Sequence, residues 1–301
     1  MGMKVREQIT RQIVQALQAG VIPWRQSWRA SKNTGTPANV ASHRHYRSVN
    51  VLLLQMHAQR FGHRSRWYGT YSQIRALGGT VRHRPKDVAK GEWGCRIISY
   101  LPDTDHRTGE QCRERTYSVY NVEQAEGVVL DVYRVVDAPG DDTISPDFAL
   151  AEELMAATGA EIVYGGDKCF YRRPFPEGSF PHHLAGDYIC LPHRSSFTNM
   201  AAFYESCWHE LGGHWTEARL GWDWRKRGRA AGELRAEMTA CFVASSLGLP
   251  VGESLEVHAA YVGSWLRAMR ADPNLIFQIA AEASKAADLV LSFVRKAEGP
   301  T

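Results

Sequence analysis

Apolar residues recur at helical spacing in several parts of the chain. Residues 6–20 place their apolar side chains on one stripe, and the stop signals Gly20 and Pro23 follow. The same spacing predicts helices over 49–61 and over 70–79. Each of these segments is expected to bury one face in a core.

Strand patterns follow these helices. The runs CRIISYL and RTYSVYNV are typical of strands, and they flank DTDHRTGEQ, which we expect to be the tip of a hairpin. The stretch DAPGDDTISPD then replaces the periodic pattern with turn formers. We therefore predict a first α+β domain over 1–135, a linker over 136–147 and a second domain over 148–301.

The second domain also mixes helices and strands. A helix is expected over 147–158, followed by short strands at EIVYG, KCFYR and DYICL. A long helix should run from about 199 to 219, and further helices should fill 230–297. The fold class predicted for the whole chain is α+β in two domains.

The composition indicates an ordinary globular protein of 301 residues, with 44% hydrophobic and 23% charged residues. No apolar run reaches the roughly 18 residues of a membrane span, and the N-terminus reads as a helix rather than a secretory signal. We therefore expect a cytoplasmic protein with no membrane partner. Its six cysteines include no C-x-x-C pair, which favours reduced core thiols over metal ligands or disulfides.

The charge is distributed unevenly along the chain. Residues 1–100 contain 17 Lys and Arg against Glu7, Asp87 and Glu92, which gives a net charge of +14. Because the whole chain carries +4, the remaining two thirds carry −10. The N-terminal part is therefore expected to bind a polyanion.

Aromatic residues alternate with cations in this basic part, as in PWRQSWR, RHYR and RSRWY. Single-stranded nucleic acid is bound by cations along its backbone and by flat rings that stack on unpaired bases. The pattern thus predicts single-stranded DNA as a partner, although each Trp could instead be a core residue. The candidate binding residues are Trp24, Arg25, Trp28, Arg29, Arg44, Tyr46, Arg47, Arg64, Arg66, Trp67, Tyr71, Arg75 and Arg82.

The stretch HELGGH in the predicted long helix suggests a metal site. It resembles the zincin motif H-E-x-x-H, in which two His one turn apart bind zinc and Glu acts on a water at the metal. Here His209 and His214 are five residues apart, so a regular helix would separate them by about 140°. They can share a metal only if a π-bulge near Gly212 and Gly213 absorbs one residue.

HELGGH is also similar to the H-E-x-x-G-H variant of the dipeptidyl peptidase III family, whose second motif is E-E-x-x-A-E. Here the corresponding stretch is GELRAE, which lacks the first Glu. The resemblance implies that Glu233 is the third ligand and that Glu237 hydrogen-bonds a ligand His, and the order of these two roles stays open. The implied metal is Zn²⁺ or another divalent transition metal.

Catalysis is a further step beyond metal binding. Glu210 would act as the base of a gluzincin-like metallopeptidase, and Tyr261 and His258 on a later helix would stabilise the oxyanion. Alternatively, the HELGGH stretch is a solvated helix face, the site is vestigial or structural, and Tyr261 and His258 are packing residues. The sequence leaves open whether a peptide or protein substrate is cleaved.

Several landmarks in one order resemble the ArdC-type antirestriction family. PWRQSW, NVASHRHYRSVNVLLL, SRWYGTYSQIRALGGTVR and YSVYNVEQAEG are similar to its N-terminal domain, which binds single-stranded DNA. TGAEIVYGG, AFYESCWHELGGHWT, GELRAE and HAAYVGSWLRAM are similar to its zincin-like metallopeptidase domain. The spacing HELGGHWT departs from the usual HELxH, and HRPKDVAKGEWG and RPFPEGSFPHHL are longer than the family pattern.

The resemblance implies a protein that protects incoming conjugative plasmid DNA from host restriction. One rival hypothesis is a plain metallopeptidase that acts on a host protein and is recruited by its basic half. Another is a purely binding protein whose metal is structural.

Overall fold

The computed structural model describes residues 2–25, 33–102, 112–135, 148–174, 186–249 and 256–297. The chain divides into two compact units. The first contains Met1–Trp24 and Ser31–Asp142, and the second contains Arg25–Ala30 and Thr143–Thr301. The predicted hairpin tip over 103–111 and the predicted linker over 136–147 lie outside the described residues.

The first unit has an α+β fold. Its helices are α1 (Gly2–Gln18), α2 (Val49–Phe61) and α3 (Tyr71–Ala76), with 3₁₀ turns at Val122–Gln124 and Val128–Tyr133. Its strands are β1 (Ala38–Asn39), β2 (Trp67–Gly69), β3 (Thr80–Val81), β4 (Cys95–Pro102), β5 (Cys112–Asn121) and β6 (Ala125–Glu126). The helices and the long strands of this unit lie where the sequence predicted them, whereas the short strands β1, β2, β3 and β6 were not predicted.

Strand pairing forms two sheets in the first unit. The larger has the order β1-β2-β5-β4, with β1 parallel to β2 and the other pairs antiparallel. The smaller pairs β3 with β6. Thr70 begins α3 with a capping box, because its hydroxyl accepts from Gln73 N at 3.2 Å and the Gln73 side chain accepts from Thr70 N at 2.9 Å.

The second unit is mostly helical around one small sheet. Its helices are α4 (Ala149–Ala157), α5 (Met200–Trp208), α6 (Thr216–Arg219), α7 (Trp224–Arg227), α8 (Arg229–Ser246), α9 (Glu256–Ala271) and α10 (Leu275–Ala297), with a 3₁₀ turn at Arg194–Ser196. Its strands β7 (Glu161–Tyr164), β8 (Phe170–Arg172) and β9 (Tyr188–Leu191) have the order β7-β9-β8.

Helix α8 is the centre of this unit, since it is buried along most of its length and packs against α5, α9 and α10. None of the helices in the described part of the chain has the length and hydropathy needed to cross a bilayer. The cysteine thiols that the structure describes are free, as the sequence predicted.

Candidate metal centre

The predicted long helix is interrupted by one π-helical segment. Residues His209–Trp215 form this π segment between α5 and α6. Asn199 caps the start of α5 by accepting a hydrogen bond from Ala202 N at 2.9 Å. The wider π turn absorbs the extra residue between the two histidines, so the centroids of their rings lie 5.4 Å apart. The π-bulge that the spacing required is therefore confirmed.

Two glycines let the π segment approach α8 closely. A Cβ atom at Gly213 would lie 2.5 Å from the Cα of Ala236, and one at Gly212 would lie 2.9 Å from Cγ2 of Thr239. Both distances are shorter than ordinary van der Waals contact, and at Gly213 the obstacle is backbone. The HELGGH stretch therefore needs Gly at position 213 to pack against α8. This close approach brings Glu233 of α8 beside the two histidines.

Arg235 supports the π segment from α8 and was not foreseen in the sequence. Its buried guanidinium donates to the carbonyl of Gly213 and, at 3.0 Å, to the hydroxyl of Thr216. That hydroxyl donates in turn to the carbonyl of Gly212 at 2.6 Å. Burial lowers the pKa of Arg235 to about 10, while Glu217 and Glu282 act in the opposite direction. These contacts satisfy carbonyl groups at the place where the regular helical ladder is interrupted.

Three side chains form a set that fits a metal ion. His209, His214 and Glu233 each offer one ligand atom, and these atoms lie within 4.8 Å of one another. His209 Nε2 and Glu233 Oε2 are 3.5 Å apart. Two ligand atoms at about 2.1 Å from one zinc ion can be at most about 4.2 Å apart, so small side-chain movements close this set around an ion. Two imidazoles and one carboxylate are ligands typical of catalytic zinc, with coordination positions left open.

Charges around His209 favour its interaction with the carboxylates. Burial alone would lower the pKa of His209, but its hydrogen bond to Glu233 and the nearby carboxylates of Glu210 and Glu237 raise it above its ordinary value. Burial would raise the pKa of Glu233, whereas the two histidines lower it. The second ring nitrogen, Nδ1, lies 3.9 Å from Oε2 of Glu237. Glu237 thus faces the back of a ligand His at slightly more than hydrogen-bond distance.

The other ligand histidine has a partner that sequence reasoning missed. His214 Nδ1 lies 3.1 Å from Oε1 of Glu217, and Oε2 of Glu217 accepts from Arg173 Nη2 at 3.0 Å. The signal was present in the sequence, because Glu217 follows His214 by three residues on the same helical face. Arg173, the residue directly after β8, is 44 residues away from Glu217 in the sequence and left no local signal.

The predicted catalytic residues are placed as follows. Glu210 is buried in the π segment directly beside His209. Tyr261 is linked to Glu233 by Arg229. The Arg229 guanidinium donates to the Tyr261 hydroxyl at 3.4 Å and to Oε1 of Glu233 at 3.5 Å. His258 lies in α9, but its side chain is outside the described part of the structure.

The predicted nucleic-acid residues are distributed between different environments. Tyr46, Arg66 and Trp67 are half-buried, Trp24 is buried in the first unit, and Trp28 and Arg29 lie outside the described residues. Burial of Trp24 favours the alternative that it is a core residue. The exposed candidates on the first unit are Arg44, Arg47, Arg64, Tyr71, Arg75 and Arg82.

Arg25 is separated from these residues because it groups with the second unit. It donates to Glu205 and, at 3.2 Å, to Oε1 of Glu237. Burial would lower the pKa of Arg25, but Glu237 and Glu205 raise it. The sequence assigned Arg25 to nucleic acid, whereas the structure brings it to the residues around His209.

A cluster of aromatic rings on the first unit includes two residues that the sequence analysis did not select. The ring of His43 lies 5.2 Å from that of Trp67 and 6.1 Å from that of Tyr133, and the Trp67 and Tyr133 rings are 5.3 Å apart. The guanidinium of Arg66 lies 5.1 Å from the Trp67 ring. Trp67 is fixed by Asn33, which accepts from its indole nitrogen at 2.9 Å. We call His43, Trp67 and Tyr133 the aromatic cluster.

The fold and the ligand set define the second unit as a zincin-like metallopeptidase domain. Residues 149–282 match the family model described as "Zincin-like metallopeptidase". Residues 3–129 match the model described as "N-terminal domain of anti-restriction factor ArdC". The chain therefore combines two domains of known families.

Solved structures identify the combination. The chain is similar to the antirestriction ArdC protein from plasmid R388 in its metal-free form, with a TM-score of 0.74, 31% identity and coverage of 97% of this chain and 98% of that one. The Mn(II)-bound form of the same protein gives a TM-score of 0.71 at 31% identity, covering 96% of this chain and 97% of that one. The chain belongs to the ArdC antirestriction family.

The chain is also similar to a DNA primase and to a second protein, y4eC. A DNA primase TraC of Escherichia coli is 31% identical over 320 residues, and the match covers 96% of this chain but 27% of the primase. The protein y4eC of Sinorhizobium fredii (strain NBRC 101917 / NGR234) is 29% identical over 307 residues, covering 94% of this chain and 90% of that protein. The chain thus spans about a quarter of the length of the primase that it matches.

Proposed function

We propose that the first unit binds single-stranded DNA and that the protein protects incoming conjugative plasmid DNA from host restriction. The observation that carries this proposal is the set of exposed arginines on the first unit, together with its aromatic cluster. We call Arg44, Arg47, Arg64, Arg75 and Arg82 the basic surface. Membership of the ArdC family supports the link to restriction, and the similarity to the R388 protein covers both units.

The chemistry of this surface fits an unpaired strand. Arg44, Arg47 and Arg64 are exposed and can approach backbone phosphates, while Trp67 offers a half-buried ring. Stacking of a base on an aromatic side chain stabilises binding by about 1–3 kcal/mol per base. A duplex keeps its bases stacked on one another, so the surface should prefer single strands.

Fluorescence anisotropy with a labelled oligothymidine tests the DNA-binding part. The full chain should bind the single strand more tightly than the corresponding duplex, and Trp67→Ala should weaken this binding. Tyr164→Ala is the matched control, because Tyr164 is exposed and belongs to the second unit. Equal affinity for single strand and duplex, or equal effects of the two substitutions, would contradict the proposal.

For the second unit we propose a centre in which His209, His214 and Glu233 hold Zn²⁺ or another divalent transition metal. Glu237 and Glu217 lie behind the two histidines and would orient their rings. The ligand set is supported by its geometry, and the Mn(II)-bound form of the R388 protein supports a divalent metal in this family. Metal analysis of Glu233→Ala should show loss of the ion.

An active metallopeptidase that cleaves a host protein is the second candidate function. It is favoured by one observation, the buried carboxylate of Glu210 directly beside His209 in the π segment. A bound metal would supply Lewis acidity to a water and to a peptide carbonyl. Glu210 would accept the proton of the water and return it to the leaving amine, and Tyr261 and His258 would donate hydrogen bonds to the developing oxyanion.

A plasmid-transfer assay separates these functions. Glu210→Gln keeps the size of the side chain and removes its basicity, so it should abolish protection if hydrolysis is required. His214→Ala tests whether the metal itself is required. Full protection by both variants would leave DNA binding as the protective activity, and the second candidate function would be rejected.

A further inference from the structure

Arg25 is held between two carboxylates on different helices of the second unit. Its Nε donates to Oε1 of Glu237 on α8 at 3.2 Å, and its Nη2 donates to Oε1 of Glu205 on α5. The side chains of Arg25, Glu205 and Glu237 are only 11%, 14% and 1% exposed. A guanidinium whose Nε and Nη2 donate to two separate carboxylates at this depth is fixed in position, because its planar fork has little remaining freedom.

Glu237 connects this ion pair to the candidate metal centre. One of its oxygens accepts from Arg25, and the other lies 3.9 Å from Nδ1 of His209. The opposite ring nitrogen of His209, Nε2, faces Glu233 at 3.5 Å. A carboxylate behind a metal-binding imidazole sets the orientation of the ring and makes the imidazole a stronger ligand.

A buried carboxylate with no cation beside it would be costly in free energy. Glu237 is almost fully buried in a helix whose neighbouring positions Ala236 and Met238 are also buried. The guanidinium of Arg25 supplies the compensating positive charge, and its Nε donates to Oε1 of Glu237 while its Nη2 is held by Glu205. Without Arg25, Glu237 would lose the Nε donor at its Oε1, and a shift of the carboxylate would alter its position behind His209.

We propose that Arg25 is a positioning residue of the metal centre, which fixes Glu237 behind His209. This inference rests on the metal centre proposed above and adds a residue to it from a distant part of the sequence. Arg25 precedes Glu237 by 212 residues and lies outside residues 149–282, the range of the metallopeptidase match. The centre is then complete only in a chain that contains Arg25, which groups with the second unit.

The test compares metal affinity and DNA affinity in full-length variants. Competition with a chromophoric chelator measures the Kd for Zn²⁺ and Mn²⁺, and anisotropy with an oligothymidine measures DNA binding and its salt dependence. Arg25→Met should weaken metal binding about 10- to 100-fold, the range of changes behind a metal ligand, with the salt slope of DNA binding unchanged. Arg44→Met is the matched control, and it should reduce the salt slope and leave metal binding unchanged.

Arg25→Lys and Glu237→Gln distinguish positioning from a general structural role. A lysine keeps the charge but cannot bridge two carboxylates with a planar fork, so Arg25→Lys should restore metal affinity only in part. In a double-mutant cycle, Arg25→Met should have little further effect on the metal Kd once Glu237 is Gln. If Arg25→Met does not fold, the metal Kd of Arg25→Lys tests the positioning role instead.

The outcomes separate this inference from the proposed metal centre. If the wild-type chain binds no stoichiometric metal, the metal centre itself is rejected, and Arg25 with it. If wild type binds metal and Arg25→Met binds it equally well, only the positioning role is rejected. If Arg25→Met binds metal as well as wild type and also lowers the salt slope of DNA binding, the positioning role is rejected and Arg25 is a phosphate contact, as the sequence had suggested.

Discussion

Single residues decide how well the histidines can bind a metal. Glu217 is 2% exposed and lies between His214 and Arg173, so it holds the ring of His214 from behind. It is the counterpart of Glu237 at His209, so each of the two proposed ligand histidines faces its own carboxylate. The direct ligands alone would leave both rings free to rotate away from the ion.

We expect Glu217→Gln to weaken metal binding about 10-fold or more, because a neutral amide orients the ring of His214 less firmly than a carboxylate. The Kd for Zn²⁺, measured by chelator competition, checks this. Glu153→Gln is the control, since Glu153 is exposed on α4 and should have no effect. An unchanged Kd in the Glu217 variant would mean that His214 is positioned by packing alone.

Two buried histidines make the stability of the first unit depend on pH. Burial lowers the pKa of both His57 and His63 to about 4, and His57 donates from Nε2 to the carbonyl of Trp93 at 3.2 Å. Their pKa in the unfolded chain is about 6.5, so the unfolded state binds more protons between these values. The stabilisation that comes from keeping these two histidines neutral is therefore fully present above pH 6.5, and it is lost as the pH falls towards 4.

Each histidine should destabilise the fold by about 2 kcal/mol when the pH is lowered from 7 to 5. Urea unfolding followed by circular dichroism at the two pH values measures this loss. His63→Gln removes one of the two titrating groups, so the loss should be about half as large in that variant. An identical loss in wild type and His63→Gln would show that His63 does not titrate in this range.

At the scale of elements, the packing of the π segment against α8 brings together the residues of the proposed metal centre. The segment needs Gly213 for close approach, and the donors of Arg235 and Thr216 satisfy its carbonyl groups. The bulge is thus stabilised by a neighbouring helix rather than by its own sequence. Any change that separates the two elements should also separate the ligand Glu233 from the histidines.

Gly213→Ala is the substitution that tests this packing. The added Cβ would collide with the backbone of Ala236, so we expect a loss of stability of about 1–3 kcal/mol or more and a loss of metal binding. Gly263→Ala is the control, because Gly263 lies in α9 with only Arg267 within 4 Å of the new atom. That variant should be stabilised by up to about 1 kcal/mol, and equal melting temperatures for both variants would contradict the close approach.

At the scale of the whole molecule, the uneven charge should govern DNA affinity. The net charge of +14 over residues 1–100 contrasts with −10 over the rest of the chain. The logarithm of the binding constant should fall linearly with the logarithm of salt concentration, by about 0.7 for each phosphate contacted. Removing two exposed cations in Arg44→Ala, Arg47→Ala should reduce this slope by about 1.4.

A salt titration of the full chain and of the double variant measures both slopes. Glu161→Gln with Asp167→Asn, which changes the net charge by the same amount but with the opposite sign and in the second unit, is the control. This control should leave the slope unchanged. A slope that follows total charge in both variants would show non-specific attraction rather than contacts at the basic surface.

Local patterns in the sequence determined much of this protein. Helical periodicity predicted α1 and α2, and strand-like runs predicted β4 and β5. The helices expected over 230–297 include α8. The i, i+5 spacing of His209 and His214 implied the π segment, since no regular helix could bring the two rings together. The charge asymmetry is likewise a property of composition and needs no fold.

Tertiary structure decided which cations are buried and which are exposed. Arg25, Arg44 and Arg235 look alike in sequence, yet Arg25 pairs with two carboxylates, Arg44 is exposed, and Arg235 is buried against the π segment. Their environments depend on partners up to 212 residues away, so no local pattern records them. The same physical reason explains why Trp24 is buried while Trp67 contributes to an aromatic cluster, since burial is set by the elements that pack around a ring.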